Sequence, residues 1–131
     1  DILYNLGGVL NHYIYFLSMS PNKVLPNNEL LNEINIRYGS FDNFKKEFKE
    51  KAMSLNGAGY TFLVVMDGYL NIVNFTNQDC PLFYNMIPLI GIDMWEHAYY
   101  INYENKKEIY IDNFFDVIDF SEANNKFNKN S

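Results

Sequence analysis

The sequence predicts an α+β domain in which helices flank a small antiparallel sheet. Apolar residues recur at helical spacing through residues 2–17, and two apolar runs flank the dipeptide Asp67-Gly68. A third apolar run covers residues 87–92. Helical segments come first, three strands follow, and a helical segment closes the chain. This order is typical of an α+β domain rather than of an alternating α/β fold.

The first helix is predicted from a wide apolar stripe: Ile2, Leu3, Leu6, Val9, Leu10, Tyr13, Ile14 and Leu17. Gly7 and Gly8 interrupt this helix at a cost in helix propensity. Gly8 lies one turn before His12, so it leaves space beside the imidazole. Considered alone, His12 is better explained as a core histidine that is hydrogen-bonded to backbone than as a metal ligand.

Two further helices are predicted after a connector at residues 20–28, which contains two prolines. Asn28 is predicted to cap a short helix that extends to about Arg37 and ends at Gly39. Ser40 is predicted to cap the next helix. One face of that helix is apolar: Phe41, Phe44, Phe48, Ala52 and Leu55.

Residues 60–66 and 69–75 are predicted to form a β-hairpin, because the Asp-Gly pair between them is a strong two-residue turn signal. A loop over residues 76–86 leads to a third strand at residues 87–92, which is apolar throughout. A strand without polar alternation is expected to be buried on both faces.

The end of the chain is predicted to contain one helix over residues 105–118, with four inward side chains: Ile109, Phe114, Phe115 and Ile118. Ser121 is predicted to start one last turn. Residues 124–131 are rich in Asn and Lys, and we expect them to fray.

Composition narrows the classes of function. The chain has 131 residues, of which 48% are hydrophobic, and its net charge is −6. This acidic balance argues against nucleic-acid binding, and it requires local positive potential if an anionic substrate is to be attracted. The sequence contains no apolar run long enough to cross a membrane. The single cysteine, Cys80, excludes an internal disulfide and indicates a reducing, cytoplasmic location.

The most informative stretch begins where the third strand should leave the core. Asp93 appears at that point and His97 follows four residues later. A buried carboxylate is costly unless it is paired or binds a metal. An Asp and a His that leave one strand end can point at a common centre, as metal ligands do.

The stretch Asp93-Met94-Trp95-Glu96-His97-Ala98-Tyr99-Tyr100 resembles the signature of the iron/manganese superoxide dismutases. Other parts of the chain resemble the same family: Asn11-His12 with the aromatic residues after it, residues 57–64, residues 77–82, residues 103–105 and Tyr110. The resemblance covers residues 4–120, which is nearly the whole chain.

The resemblance implies a helical hairpin followed by a mixed domain with a three-stranded sheet. Residues 1–19 are then expected to be the second helix and the remnant of the hairpin domain, and residues 20–131 to be the C-terminal α+β metal-binding domain. The first helix of the hairpin would precede residue 1. The apolar stripe of residues 2–17 would face that helix, or a second chain in its place.

The resemblance also implies a ligand set. The family holds its metal with three histidines and one aspartate, and His12, Asp93 and His97 match three of these positions. The fourth ligand would lie on the first helix. Gln78 matches the glutamine of manganese-type members, and Gly8 matches the glycine that they carry. The implied cofactor is therefore one manganese ion per chain, with iron as the alternative.

The implied reaction is the disproportionation of superoxide to dioxygen and hydrogen peroxide, with Gln78, Glu96 and Tyr100 as further functional residues. In the family the Glu crosses a two-fold interface to the partner's histidine ligand, so Glu96 and Tyr100 are expected at the contact of a homodimer. No nucleic-acid or membrane partner is implied.

The chain also departs from the family pattern. Aromatic residues other than tryptophan stand at four usual tryptophan positions (Tyr60, Phe62, Phe115 and Phe120), and Lys107 replaces an arginine. The alternative function is a superoxide-dismutase-like domain with a structural or binding role and no redox activity. A zinc hydrolase is disfavoured, because Glu96 is expected to point away from the metal and could not serve as a general base.

Overall fold

The computed structural model describes residues 2–98 and 106–130. The helices are α1 (Ile2–Leu17), α2 (Asn28–Tyr38), α3 (Phe41–Met53), α4 (Lys107–Asp116) and α5 (Ser121–Asn130). The strands are β1 (Gly59–Met66), β2 (Tyr69–Thr76) and β3 (Ile87–Asp93), and a short 3-10 helix (Pro81–Tyr84) precedes β3. The α+β class and the three-stranded antiparallel sheet predicted from the sequence are confirmed.

The sheet has the order β2-β1-β3, so β1 is the central strand. Asp67 and Gly68 join β1 to β2 with φ angles of 53° and 83°, the left-handed geometry that a two-residue hairpin turn requires. β3 pairs with the other side of β1, and this register sets Tyr60 opposite Asp93. The end of β3 is therefore fixed against the start of the central strand.

Helices cover both faces of the sheet. The larger core lies between one face of the sheet and the helices α2 to α5. The smaller core lies beneath α1, where Ile14 packs with Tyr60, Phe62 and Val64. Because both faces are covered, β1 is buried along almost its whole length. The prediction that β3 is buried on both faces is also confirmed.

The outer side of α1 exposes many large apolar side chains: Ile2, Leu3, Tyr4, Leu6, Val9, Tyr13 and Phe16. The exposed fraction reaches 84% at Ile2 and 67% at Val9. A contiguous apolar surface of this kind usually marks a contact site. No helix within residues 2–98 and 106–130 has the length and apolar character needed to cross a membrane.

The C-terminal prediction was wrong. Residues 124–130 do not fray as expected but continue α5, which begins at Ser121. Phe127 and Ala123 enter the main core, and the side-chain oxygen of Asn124 accepts a hydrogen bond from the backbone N–H of Asn27 at 3.1 Å. These long-range contacts stabilise a segment whose composition alone is typical of a flexible tail.

Two local predictions also need correction. Ile109 was expected to point inward, but 44% of its surface is exposed, and Tyr110 and Ile111 are buried instead. Asn27 rather than Asn28 precedes the first turn of α2. The predicted Ser40 cap is confirmed, because its side chain accepts a hydrogen bond from the backbone N–H of Asn43.

Candidate metal centre

Three side chains from two parts of the chain converge at one end of the sheet. His12 lies on α1, Asp93 is the last residue of β3, and His97 lies on the helical turn that follows. The Nε2 atoms of His12 and His97 lie 3.2 Å and 2.9 Å from Oδ2 of Asp93. One candidate ligand atom from each of the three residues lies within 4.8 Å of the others.

The backbone after β3 orients the carboxylate of Asp93. The N–H of Trp95 donates to Oδ1 at 2.8 Å, which leaves Oδ2 directed at both imidazoles. The N–H of Met94 donates to the carbonyl of Gly59 at 2.8 Å, so the strand pairing continues through Asp93. The carboxylate is thus held by the strand end rather than by a loose loop.

The centre is buried on one side and open on the other. Only 3% of the Asp93 side chain is exposed, whereas 46% of His12 and 59% of His97 are exposed. The ring of Trp95 stacks against His97 with 6.1 Å between centroids, and it gives the imidazole a partial cover. A small molecule therefore has access to the histidine side of the centre.

Gln78 occupies space that Gly8 leaves empty. A Cβ built on Gly8 would lie 2.7 Å from Oε1 of Gln78 and 3.1 Å from its Nε2. The Oε1 atom is buried and has no hydrogen-bond partner within the described residues. A buried polar atom without a partner is costly, so this amide is suited to bind something beyond the protein atoms.

The loop that carries Gln78 is fastened to α1 at several points. The side-chain amide of Asn11 is fully buried and donates to the carbonyl of Asp79 at 2.7 Å. Gly7 brings the helix against the backbone carbonyl of Gln78, where a larger residue would clash. The sequence pair Asn11-His12 was noted, but this anchoring role of Asn11 was not predicted from it.

Tyr60 lines the centre beneath His12, with 5.9 Å between the two ring centroids. Its side chain is fully buried, and its hydroxyl has no partner within the described residues. Burial raises the pKa of Tyr60 strongly, and the negative charge of Asp93 raises it further. The hydroxyl therefore remains protonated and can act as a hydrogen-bond donor.

The residues present fit a metal ion. Two imidazole nitrogens and one carboxylate oxygen form a ligand set that suits manganese and iron. Nitrogen and oxygen ligands that share an ion at about 2.1 Å lie close to 3 Å from one another, which agrees with the spacing around Asp93. The unpaired Oε1 of Gln78 nearby also fits a site that binds a further group.

One predicted site residue within the described residues does not join this cluster. Glu96 is exposed, and it is not among the three residues that converge. Tyr100 lies outside the described residues, so its predicted role stays a prediction. Lys107, at the position of the family's arginine, donates to the carbonyl of Leu55 at 3.3 Å.

The chain resembles known proteins along most of its length. The family model described as "Iron/manganese superoxide dismutases, C-terminal domain" matches residues 26–126. The chain is 41% identical to "Superoxide dismutase [Mn]" of Listeria innocua over 122 residues, which cover 92% of the chain. It is 42% identical to the protein of the same name from Listeria ivanovii and 40% identical to that of Buchnera aphidicola.

The chain is shorter than these relatives. The matched region spans 60% of the Listeria innocua protein and 64% of the Buchnera aphidicola protein. His12 lies before the region that the family model matches, whereas Gln78, Asp93 and His97 lie within it.

Proposed function

The chain belongs to the iron/manganese superoxide dismutase family, and from this premise we propose that it disproportionates superoxide at a single manganese centre. The observation that carries the proposal is the convergence of His12, Asp93 and His97, whose ligand atoms lie within 4.8 Å of one another. When bound, manganese, or iron as the alternative, would supply the one-electron chemistry that oxidises one superoxide to dioxygen and reduces another, with two protons, to hydrogen peroxide.

The three ligands would have distinct roles. Asp93 supplies the negative charge, and the backbone N–H of Trp95 orients it through Oδ1. His12 and His97 supply neutral imidazole nitrogens, and their exposed sides leave room for a diatomic anion. The close packing of Gly8 against Gln78 supports manganese over iron, because the resemblance to the family implies this combination for manganese-type members.

Gln78, packed against Gly8 one turn before His12, would contribute hydrogen bonds to the centre. Its Oε1 is buried and free within the described residues, so it can accept a proton-bearing partner that arrives from solvent. The hydroxyl of Tyr60 is a buried donor beneath His12. Together they would hydrogen-bond the solvent molecules that bring the protons peroxide formation consumes, without being charged themselves.

We also propose the domain division and the dimer that the sequence predicted. The exposed apolar face of α1 is suited to pack against the first helix of a hairpin, which would supply the fourth ligand. Residues 1–19 would then belong to the hairpin and residues 20–131 to the metal-binding domain. Glu96 and Tyr100 would lie at a two-fold contact between copies, and Cys80 as the single cysteine supports a reducing, cytoplasmic setting.

A second candidate is a related domain that has no redox activity. The exposure of His12 and His97 favours it for this chain alone, because ligands open to water bind a metal more weakly than enclosed ones. The two candidates differ in what the purified chain binds. A redox enzyme holds manganese or iron, whereas a structural domain holds neither.

The test is to measure metal content and superoxide consumption for the chain and for Asp93→Asn. We expect about one manganese per chain, and a loss of at least tenfold in manganese affinity in the variant. Asp67→Asn, which makes the same change at the exposed hairpin turn, is the control and should retain the metal. Binding of zinc or of no metal by the unmodified chain would contradict the proposed activity.

A further inference from the structure

The carbonyl of Asp93 points to the free edge of the sheet. β3 is an edge strand, and Asp93 faces Tyr60 in the register with β1. The next residue, Met94, donates its N–H to the carbonyl of Gly59. Successive residues in an antiparallel pair direct their backbone groups alternately at the neighbour and away from it. The Asp93 carbonyl therefore faces the side of β3 where no described strand supplies a donor.

Two tyrosine hydroxyls fill this position. Tyr110 on α4 donates to the carbonyl of Asp93 at 2.7 Å, and the hydroxyl of Tyr15 on α1 lies 2.8 Å from that of Tyr110. The single hydroxyl proton of Tyr110 is directed at a carbonyl, which can only accept. Tyr15 must therefore donate to Tyr110, and the two bonds strengthen each other in series.

A second anchor lies two residues earlier on the same edge. The N–H of Gly91 donates to Oγ of Ser18 at 3.0 Å, and Ser18 in turn donates to the carbonyl of Ile14. Both anchors therefore lead from the free edge of β3 to α1 or its last turn. That helix also carries His12, one turn before Tyr15.

We propose that Tyr15 is a positioning residue for the metal centre, acting through Tyr110 on the backbone of Asp93. This inference rests on the proposed function, because positioning Asp93 has a role only if the centre binds a metal. Its geometry is that of the two hydrogen bonds that join Tyr15, Tyr110 and the carbonyl of Asp93. Through this chain of hydroxyls, the helix that presents His12 also sets where Asp93 lies.

The test is Tyr15→Phe in the full chain, because phenylalanine keeps the ring that stacks on Phe114 at 6.2 Å and removes only the donor. The N–H of Trp95 reports the position of Asp93 without any metal, since it donates to Oδ1. We expect amide exchange at Trp95 in the metal-free protein to rise roughly two- to tenfold relative to that of Leu63 in the sheet.

In the manganese-loaded protein, we expect Tyr15→Phe to weaken Mn(II) affinity by about tenfold and to alter the Mn(II) electron paramagnetic resonance spectrum. Tyr69→Phe is the control, because it makes the same change on an exposed tyrosine at the hairpin. If the hydroxyls act in series, Tyr110→Phe and the double variant with Tyr15→Phe should have equal effects.

Unchanged exchange at Trp95, or an equal rise at Trp95 and Leu63, would overturn the positioning role, because the second result indicates only global destabilisation. An unmodified chain that binds no manganese or iron would instead overturn the proposed function. The exchange measurement would still decide the role of Tyr15 in that case, so the two failures are distinguishable.

Discussion

Gly8 and Gln78 share one small volume: a Cβ on Gly8 would lie 2.7 Å from the amide oxygen of Gln78. Gly7, one residue earlier, instead meets the backbone carbonyl of Gln78. A side-chain amide can rotate away from a new methyl group, whereas a backbone carbonyl cannot. We therefore expect Gly7→Ala to lower the free energy of unfolding by about 2 kcal/mol more than Gly8→Ala does.

Urea denaturation of the metal-free protein measures this difference. Adding Gln78→Ala should rescue Gly8→Ala, since it removes the atoms that clash, and should leave the deficit of Gly7→Ala unchanged. Equal rescue of both variants would contradict the distinction between the side-chain and the backbone contact.

Tyr60→Phe is expected to raise the stability of the metal-free chain by up to about 1 kcal/mol, because it removes a buried hydroxyl that has no partner within the described residues. Urea denaturation checks this expectation, with Tyr69→Phe as the matched change at an exposed tyrosine. A loss of stability in Tyr60→Phe would mean that the hydroxyl has a partner in solution.

Cys80 is expected to be inert in the native protein. The thiol is fully buried, and this burial, together with the nearby charge of Asp79, raises its pKa. At about pH 8.5 roughly half of the thiol in the unfolded chain is deprotonated, whereas the raised pKa of Cys80 makes the deprotonated fraction smaller in the native chain. Alkylation by iodoacetamide should be about a hundredfold slower in native than in urea-unfolded protein.

The raised pKa of Cys80 also determines how the free energy of unfolding depends on pH. The folded state keeps the Cys80 proton to higher pH than the unfolded state, so this contribution to stability is present at neutral pH and is lost as the pH rises through the raised pKa of the folded state.

Because the chain has one cysteine, mass spectrometry measures alkylation of Cys80 directly. Rapid native labelling at neutral pH would be evidence against this buried position.

Phe127→Ala is expected to destabilise the protein by about 3 kcal/mol, because it leaves a cavity where the side chain enters the main core. Asn128→Ala changes the next residue, which is exposed on the same helix, and should shift stability by less than about 0.5 kcal/mol. Thermal unfolding monitored by circular dichroism compares the two. Equal, small effects would indicate that residues 124–130 fray, as the sequence predicted.

Local signals explain which parts of the fold were predictable. The Asp67-Gly68 turn, the Ser40 cap and the apolar run of β3 each depend on neighbouring residues, and each matches the structure. The error at Ile109 is a matter of helical phase. The buried residues at helical spacing begin at Ile111 and continue with Phe114, Phe115 and Ile118. Ile109 lies almost opposite Ile111 around the helix axis and is exposed.

The candidate site was predictable where motif residues carry it and not where the fold alone creates it. Asp93 and His97 are four residues apart, and a resemblance suffices to add His12. The Tyr15–Tyr110 contact joins hydroxyls 95 residues apart in sequence, and no local pattern marks either one as a partner of the other. Side chains that meet only after folding leave no periodic or spacing signal.

The position of His12 near the start of the chain and of Asp93 far along it affects how the centre can be assembled. During synthesis, α1 leaves the ribosome long before its strand partner exists, and domains acquire structure in that order. Of the three residues that converge, His12 is synthesised first, and Asp93 and His97 at the end of β3 come much later. Under the proposed function, an ion could bind all three residues only after β3 and the turn that follows it have been synthesised, so the supply of manganese or iron at that later moment would decide which element the protein keeps.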